Sequence, residues 1–396
     1  MRILFLSPRQ CWPALSGAKL REYHLARALS RWAELTYVYF ADAGDRPLSS
    51  ADLPFATHIV AVPKPQVYGP WNLVRGITGR WPLPVLNYTS PEMNEALSRL
   101  DTAYDLVHFD SIHMIRYAEV FKKTPRIIYD WHNIESEAMR RYAQSTPSGA
   151  RRIYANLTAR KLEALEREIL TSAFGHIVCS EREQEQLLNI APTARVKVIE
   201  NGVDCAYFAG LNREPARKRI VFVGKMDYYP NIEAVIEFAH IAWPLVRAQL
   251  TGLTLTIVGA YPTAEVQSLA SIPGVEVTGT VPDVRPYYRD ALAAVVPLRT
   301  GGGTRLKILE AMAAGVPVIS STMGAEGLPV TPDRDILISE PDDHESWLRH
   351  LIELQSVERR TQLASHALEL VQARYDWNTL GQTLIDTYEA WLRKPR

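Results

Sequence analysis

Short apolar runs alternate with amphipathic stretches along the whole chain, and this alternation predicts strands separated by helices. In the first half the predicted strands are residues 3–7, 35–39, 58–62, 106–109, 127–129 and 176–179. In the second half they are residues 220–223, 253–258, 275–278, 293–296, 316–319 and 336–338. Helical spacing lies between them, for example over residues 18–30 and 232–246. Such alternation forms parallel sheets with helices on both faces, so we predict an α/β chain of two doubly wound, Rossmann-like domains.

A turn signal, Asn201-Gly202, separates the two series of strands, and the residues that follow it are polar. The last predicted helix, residues 380–392, carries apolar side chains at helical spacing and needs a surface to pack on. We expect this helix to cross back to the first domain. The predicted domains are residues 1–200 completed by residues 377–396, and residues 201–376.

One segment carries most of the candidate chemistry. An apolar strand leads to Pro297, three glycines follow, and a helix is predicted to begin at Thr304 and end at Gly315. A glycine-rich loop before a helix leaves free backbone N–H groups and a positive dipole end directed at one spot, which suits a phosphate. The residues of this loop are Gly301, Gly302, Gly303 and Thr304. Many such junctions bind nothing, so a purely structural turn stays open as the alternative.

Charged side chains follow the loop. Arg305 and Lys307 are predicted in the first helical turn, where cations are unfavourable for the helix itself, so an anion is expected beside them. Glu310 lies farther along the same helix, and a carboxylate near a phosphate site can accept hydrogen bonds from sugar hydroxyls. The segment therefore predicts a ligand that carries phosphates and a ribose.

Other candidates also follow predicted strands, where ligands bind in doubly wound sheets. Gly17 lies in the loop after the first strand and allows close approach of a ligand. Lys225 follows the strand 220–223 and can reach a phosphate, while Asn231 is predicted to cap the next helix. The loop after the strand 275–278 can offer backbone groups to a planar base, although by itself it is only a turn. This loop consists of Gly279, Thr280 and Val281.

His132 stands just after the strand 127–129. A histidine there can donate a hydrogen bond to a substrate oxygen or stabilise developing charge. Two alternatives stay open: a histidine that merely bonds Glu135, and a metal site formed with Asp130 and Glu135. Three ligand-type residues in one loop are a weak signal, and we expect no metal.

Composition narrows the function classes. The chain has 44 Lys and Arg residues against 44 Asp and Glu, and a zero net charge argues against a general nucleic-acid binder. Three widely separated cysteines form no metal-ligand pattern and fit a reducing cytoplasm. The N-terminal apolar run is too short for the core of a signal peptide and is expected to be the first strand. No apolar run of the sequence is long enough to span a membrane, and the motifs of dinucleotide-binding, Walker-type and α/β-hydrolase enzymes are absent from it.

The segment from Val275 to Leu328, with its Thr-Gly-Thr-Val-Pro-Asp and Gly-Gly-Gly-Thr-Arg-Leu-Lys stretches, resembles the retaining glycosyltransferases of family 4. The turn from Asn201 to Asp204 also resembles the family's turn between domains, and the match of the first half is thinner. The Gly-Gly-Gly-Thr-Arg-x-Lys form resembles a recurrent subgroup of that family. The resemblance implies the GT-B architecture, in which two Rossmann-like domains face a central cleft. It further implies a nucleotide-sugar donor bound mainly by the second domain and an acceptor bound mainly by the first.

The resemblance also assigns roles to individual residues. Glu310 matches the second acid of the family's Glu-x7-Glu motif, which holds the donor ribose. Lys225 matches a basic residue on the diphosphate, and His132 matches a first-domain histidine near the transferred sugar. The segment that holds the base corresponds to residues 279–281, and the Gly17 loop belongs to the same resemblance.

Two positions depart from the family pattern. Gly302 stands where the first acid of the motif usually touches the donor sugar, and Pro230 stands where a second basic residue usually follows Lys225. We expect Arg305 and Lys307 to replace the missing charge on the diphosphate.

The expected function is therefore metal-independent, retaining transfer of a sugar from a nucleotide-diphosphate sugar, with His132, Lys225 and Arg305 as catalytic residues. The expected acceptor is a glycan, a lipid-linked sugar or a small molecule; no cofactor and no nucleic-acid partner are expected. The segment 68–84 mixes aromatic and arginine side chains in a loop-like region that could hold the acceptor or touch a membrane, and an ordinary packed helix is its alternative. We expect a cytoplasmic protein and leave peripheral contact with the inner membrane face open. A non-catalytic nucleotide-sugar-binding subunit of the same fold, or an epimerase, remains an alternative function.

Overall fold

A computed structural model describes residues 1–65, 69–100, 103–121, 126–147, 149–211, 219–301 and 305–393. Gly302, Gly303 and Thr304 of the predicted phosphate loop lie outside these ranges, as does Tyr68 at the start of the aromatic segment. The chain forms two compact units: Met1–Glu200 with Leu380–Arg396, and Asn201–Thr379.

Each unit contains a parallel sheet. The strands of the first unit are β1 (Arg2–Ser7), β2 (Glu34–Ala41), β3 (His58–Pro63), β4 (Leu106–Phe109), β5 (Ile127–Trp131), β6 (Gly175–Val178) and β7 (Val196–Val198). Those of the second unit are β8 (Arg219–Val223), β9 (Thr254–Val258), β10 (Val275–Gly279), β11 (Ala291–Val296), β12 (Val318–Ser320) and β13 (Leu337–Ile338). The prediction of two Rossmann-like domains is confirmed.

The strand orders show where each sheet can bind a ligand. They are β3-β2-β1-β4-β5-β6-β7 in the first unit and β10-β9-β8-β11-β12-β13 in the second. The chain reverses direction across the sheet between β1 and β4, and again between β8 and β11. Such switch points leave a crevice at the carboxyl ends of the strands, where ligands of open α/β sheets bind.

The central strands are apolar because helices cover both of their faces. Every residue of β11 is buried, as are five of the six residues of β1. β7 has only three residues and was not predicted, since so short an edge strand leaves almost no periodic signal. β12 begins only at Val318, because the preceding Pro317 has no N–H to donate to a sheet ladder.

Helices connect the strands. In chain order they are α1 (Gly17–Ser30), α2 (Pro70–Thr78), α3 (Leu83–Leu86), α4 (Pro91–Arg99), α5 (Glu135–Ser145), α6 (Gly149–Ser172), α7 (Glu181–Ile190), α8 (Cys205–Ala209), α9 (Tyr229–Glu237), α10 (Trp243–Gln249), α11 (Ala264–Ser268), α12 (Arg285–Arg289), α13 (Leu306–Ala313), α14 (Thr322–Ala325), α15 (His344–Glu353), α16 (Val357–Arg374) and α17 (Trp377–Arg393). A long 3-10 segment, Ile112–Phe121, follows β4.

Two helix predictions need correction. α9 begins at Tyr229 with Tyr228 as its N-cap, so Asn231 lies inside the first turn and the prediction that it caps the helix is wrong. The predicted continuous helix over residues 232–246 is interrupted by a π-helical turn, Phe238–Ala242. Pro244 follows that turn directly, and a proline both lacks the N–H for a helical hydrogen bond and crowds the carbonyl four residues earlier.

The last helix, α17, packs on the first unit, as the fold prediction expected. The Tyr388 hydroxyl lies 2.7 Å from Nδ1 of the buried His108 on β4. Gly381 lies so close to Ala28 of α1 that a Cβ at this position would collide with the Ala28 Cβ. The absence of a side chain at Gly381 therefore lets α17 approach α1 closely.

Much of the segment expected to be loop-like is helical: α2 and α3 cover residues 70–78 and 83–84 of it, whereas residues 79–82 between them are not helical. α2 nevertheless does not bury its apolar residues, since Trp71 is 78% exposed and Leu73, Val74 and Ile77 are also exposed. The Lys161 ammonium of α6 binds the last carbonyls of α2, 2.8 Å from the carbonyl oxygen of Gly76. This contact satisfies the C-terminal carbonyls and fixes the helix with its apolar face in solvent.

Candidate active site

The carboxyl edge of the second sheet brings two loops into close contact. Gly224 follows β8 and Gly259 follows β9, and a Cβ at Gly259 would collide with the carbonyl oxygen of Gly224. A Cβ at Gly224 would in turn lie 3.1 Å from the Lys307 Nζ. Glycines at both positions therefore make room for an ammonium group beside the switch point of this sheet.

Lys307 lies in the first turn of α13, the helix that follows β11. Its side chain extends across the switch point to the loop after β8. Its Nζ donates a hydrogen bond of 2.5 Å to the Asn231 Oδ1 and lies 4.2 Å from the centre of the Phe222 ring. The Asn231 Nδ2 donates to the carbonyl oxygen of Lys225 at 2.8 Å, so this amide ties the two lysine-bearing segments together. Burial, and then the Arg305 charge, lower the pKa of Lys307 to about 7.

Lys225 lies at the same edge but is more exposed than Lys307. Its Nζ is 3.3 Å from the Asp227 Oδ2 and 5.6 Å from the centre of the Tyr261 ring. Tyr261 is itself unusual, because its backbone φ is 58°, a value that residues other than glycine rarely adopt. The exposed ammonium of Lys225 can turn toward a ligand without breaking a buried contact, consistent with its predicted role on a phosphate.

Arg305 is the N-cap residue of α13, one position before the predicted first turn. Its side chain does not cap the helix but joins the loops after β11 and β12. Nη2 donates to the carbonyl oxygens of Gly301 at 3.2 Å and Met323 at 3.0 Å, and the side chain is only 5% exposed. These contacts give Arg305 a structural role; its predicted contact with a phosphate stays a prediction.

Glu310 lies one turn after Lys307 on α13 and is half-buried. Burial raises the pKa of its carboxyl to about 7, against the opposing effect of Lys307. Within the described residues its carboxylate makes no hydrogen bond. A half-buried carboxylate without a partner is costly to leave unpaired, which is the property expected of a ligand-binding group.

The remaining predicted donor residues of this unit occupy loop positions. Gly301 has a φ of 133° and Gly279 a φ of 69°, both conformations that favour glycine. Thr280 is exposed, and Val281 is half-buried against the core of the second unit. These residues lie at the carboxyl ends of β10 and β11, and their contact with a base or a phosphate stays a prediction.

In the first unit, Gly17 is the first residue of α1, behind the N-cap Ser16. His132 comes directly after β5, which continues two residues beyond its predicted end. The His132 Nε2 lies 3.2 Å from the Oδ2 of Asp110, not against Glu135 as one alternative had it. Asp110 follows β4 at the switch point, and nothing in its sequence neighbourhood marked it as a partner of a residue 22 positions away.

Asp110 belongs to a buried charged cluster. The Glu22 carboxylate of α1 approaches Asp110 and His132, with one ligand-type atom of each within 4.8 Å of the others. The Arg9 Nε, from the loop after β1, lies 2.8 Å from the Glu22 Oε1. Burial, and then the Asp110 charge, raise the pKa of Glu22 well above its ordinary range. Sequence reasoning missed Arg9, Glu22 and Asp110, which converge only when β1, α1 and β4 pack.

The three residues weighed as a metal site separate in the structure. Asp130 is bound by both Nε and Nη2 of Arg21, at 2.7 and 2.8 Å, in a fully buried ion pair. Glu135 begins α5, where burial raises the pKa of its carboxyl to about 7. In the Glu22, Asp110 and His132 set, the Arg9 guanidinium already supplies a cation, and a second one would be repelled. The prediction of no metal stays a prediction.

Comparisons with known proteins agree with this architecture. A model of the family described as Glycosyltransferase Family 4 matches residues 16–207, and one described as Glycosyl transferases group 1 matches residues 217–356. A D-inositol 3-phosphate glycosyltransferase of Nocardioides sp. is 29% identical over 262 residues, which are 56% of this chain and 55% of that protein. The chain thus spans about half the length of the curated relatives it matches.

Solved structures resemble the chain over nearly its whole length. A sucrose-phosphate synthase of Thermosynechococcus elongatus has a TM-score of 0.66 at 19% identity, with 99% of each chain covered. HepE of Anabaena, in complex with UDP and glucose, has a TM-score of 0.63 at 15% identity, with 98% of this chain and 100% of that chain covered. Identities this low show a common fold. The two doubly wound units define a protein of the GT-B fold class. The family models, which together match most of both units, assign the chain to the glycosyltransferases of family 4.

The lowered pKa of Lys307 predicts a pH-dependent affinity for an anionic diphosphate. Binding requires the charged ammonium, and a lysine with a pKa of about 7 loses its proton as the pH rises through 7. We therefore expect the affinity for UDP to fall by up to about tenfold per pH unit as the pH rises well above 7, with proton uptake on binding. Calorimetry in buffers of different ionisation enthalpy measures both quantities.

Lys307→Gln is expected to weaken binding and to abolish this dependence. Lys225→Gln is the matched control, since it removes an ammonium from the same edge and should weaken binding while the pH dependence persists. An unchanged slope in Lys307→Gln would assign the titration to another group.

Proposed function

We propose that this protein transfers a sugar, with retention of anomeric configuration, from a nucleotide-diphosphate sugar bound at the carboxyl edge of its second unit. Family membership supports glycosyl transfer, and the structures of HepE in complex with UDP and glucose and with UDP-glucose support a nucleotide-sugar donor. The observation that carries the proposal is the Glu310 carboxylate, half-buried and without a hydrogen-bond partner in the described residues, one turn from Lys307.

In this proposal the ligand completes an unbalanced site. The Glu310 carboxylate accepts hydrogen bonds from the two ribose hydroxyls, which are donors of the right kind. The Lys307 and Lys225 ammonium groups lie against the diphosphate, whose negative charge grows as the bond to the sugar breaks. Fixed cations and the N–H groups at the start of α13 would stabilise that charge without reorganising during the reaction. Arg305 contributes its charge and holds the loop that carries Gly301.

The alternative is a subunit that binds a nucleotide sugar without transferring it, and Gly302 in place of the family's first acid motivates it. Incubation with UDP- and GDP-linked sugars, with and without a panel of acceptor glycosides, separates the two. Release of nucleoside diphosphate with a new glycoside supports transfer, and the anomeric proton coupling of that product reports retention or inversion. Donor binding with no turnover across the panel would favour the binding subunit.

Glu310 provides the direct test of the donor site. Replacing it with Ala should weaken binding of the nucleoside diphosphate by about 1–3 kcal/mol, the scale of a hydrogen bond to a charged group. The 2′-deoxy analogue should bind the wild type more weakly than the ribonucleotide does. Glu310→Ala should bind both nucleotides equally, because it lacks the carboxylate that accepts from the 2′-hydroxyl. Isothermal titration measures both affinities.

Glu233→Ala serves as the matched control, since Glu233 is a half-buried acid of the same unit on α9. It should bind the nucleotide like the wild type. Wild-type affinity in Glu310→Ala, or an equal deoxy penalty in both proteins, would remove Glu310 from the ribose.

Metal removal tests the electrostatic scheme. Lys225, Lys307 and the start of α13 would supply the positive charge, so turnover should survive EDTA. The Asp-x-Asp triplet Asp333–Asp335 is occupied by its own turn, since the Asp335 Oδ2 accepts from the Thr331 N–H at 2.8 Å. Loss of turnover with EDTA and its recovery with Mg²⁺ or Mn²⁺ would contradict the scheme.

We also propose that the first unit docks through α2 on an anionic lipid surface, where a lipid-linked acceptor would be found. No helix in the described ranges is long and apolar enough to cross a membrane. α2 instead exposes Trp71, Leu73, Val74 and Ile77. It carries Arg75 and no acidic residue, and Arg80 lies two residues after its end, where its guanidinium pairs with Glu168. An exposed apolar face with basic flanks is the pattern of a helix that lies in a membrane interface.

Vesicle sedimentation tests this surface. Binding to phosphatidylglycerol-containing vesicles should exceed binding to neutral vesicles, and Trp71→Ser should lower it by about tenfold. Ile352→Ser, which removes an exposed apolar side chain from α15 of the second unit, should leave it unchanged. Equal effects of the two substitutions would show that α2 is not the docking surface.

A further inference from the structure

Asp110 and His132 form a contact whose direction can be worked out from their chemistry. The Asp110 side chain is fully buried and that of His132 is 15% exposed. Their contact joins the Asp110 Oδ2 to the His132 Nε2 at 3.2 Å, and the His132 Nδ1 makes no hydrogen bond in the described part of the chain. If Asp110 is the ionised member of the Glu22–Asp110 pair, its carboxylate can only accept a hydrogen bond, and the proton of this contact then belongs on Nε2.

The charges around this contact determine how many protons it holds. Arg9 and Arg21 contribute two positive charges, and Asp130 contributes one negative charge. The cluster is neutral if the two carboxyl groups of Glu22 and Asp110 share one proton and His132 is uncharged. Burial supports this state, because it lowers the pKa of His132 and raises that of Glu22 well above the ordinary range.

Several other groups face the cluster. They are Ser7, Cys11, Tyr37, Tyr88, His108, Glu135 and Cys179. Burial raises the pKa of the Cys11 and Cys179 thiols to about 12 and lowers that of His108 to about 4, so these three groups stay uncharged near neutral pH. The Ser7 hydroxyl lies 3.2 Å from the Glu22 Oε2. Within this set, Glu135 on α5 has a carboxyl pKa of about 7, so it is the other acid to control for.

We propose that Asp110 is a positioning residue that fixes His132 as the tautomer protonated on Nε2. The Nδ1 atom is then presented to the ligand as a hydrogen-bond acceptor. In the same arrangement Glu22 holds the one proton of the Glu22–Asp110 carboxyl pair, which leaves that pair with a single negative charge. His132 would then accept from a hydroxyl of a bound substrate, rather than donate to a substrate oxygen. This assignment rests on the proposed function only where it concerns reaction rates. The tautomer itself is a property of the free protein.

Nitrogen-15 NMR of protein labelled in histidine measures the tautomer directly. In the wild type at pH 7.5, the His132 signals, assigned by their loss in His132→Gln, should show a protonated Nε2 and an unprotonated Nδ1. Asp110→Asn keeps the shape of the side chain but donates an N–H to Nε2, which should move the proton to Nδ1. Glu22→Gln still donates to Asp110 through its amide, so the tautomer should stay as in the wild type.

Rates of transfer give the second readout. Asp110→Asn should lower kcat by about a hundredfold, approaching His132→Ala, with KM for the donor and affinity for the nucleoside diphosphate unchanged. Glu135→Gln should stay within about threefold of the wild type. The thermal transition of each variant is measured alongside, because Asp110 is buried.

The outcomes are distinct. A protonated Nδ1 in the wild type overturns the proposal, and this result does not depend on whether any variant folds. A folded Asp110→Asn with the moved proton and the wild-type kcat overturns the positioning role. If the wild type transfers no sugar yet shows the protonated Nε2, the proposed function fails while the assignment of the tautomer stands.

Discussion

The parallel arrangement of both sheets is the constraint on which the rest of the structure depends. Because all strands run in one direction, their carboxyl ends and the loops that follow them collect at a single edge of each sheet. In the second unit this edge receives Gly224, Lys225, Gly301 and Lys307 from segments far apart in the chain. In the first unit the same geometry gathers Arg9, Asp110 and His132. Neither set would meet if its strands were antiparallel, since alternate loops would then lie at opposite edges.

The carboxyl edge of the second sheet holds ionisable groups that the protein itself leaves unbalanced. The Lys307 ammonium is buried beside an amide and an aromatic ring, and the Glu310 carboxylate lacks a hydrogen bond in the described residues, so burial moves both pKa values to about 7. Such groups reduce the stability of the empty fold, because each loses hydration without gaining a full partner. A ligand with phosphates and a ribose would supply both partners at once. The Arg21–Asp130 pair of the first unit is the opposite case, fully buried and fully matched, and serves the fold.

Backbone geometry explains why a proline is tolerated at position 230, one of the two departures from the family pattern. Pro230, which stands where a second basic residue is usual, lies in the first turn of α9, where a missing N–H costs nothing. Lys307 lies nearby, and Asn231 holds its ammonium group at the loop after β8. The exposed face of α2 is a departure of another kind, because apolar side chains that could have entered the core face solvent. Both features lie outside the strands of the two sheets.

The amino-acid sequence by itself determined the α/β class, nearly all the strands, the return of the last helix to the first unit and the segments that carry Lys225, Lys307 and Glu310. These follow from local periodicity, glycine positions and recognisable motifs, which are properties of neighbouring residues. Only the tertiary structure decided that Arg21 is a buried partner of Asp130, that Asn231 bonds a lysine instead of capping a helix, and that His132 meets Asp110. Hydrogen bonds and ion pairs between residues 22 to 109 positions apart depend on strand order and side-chain direction, and no local pattern records them.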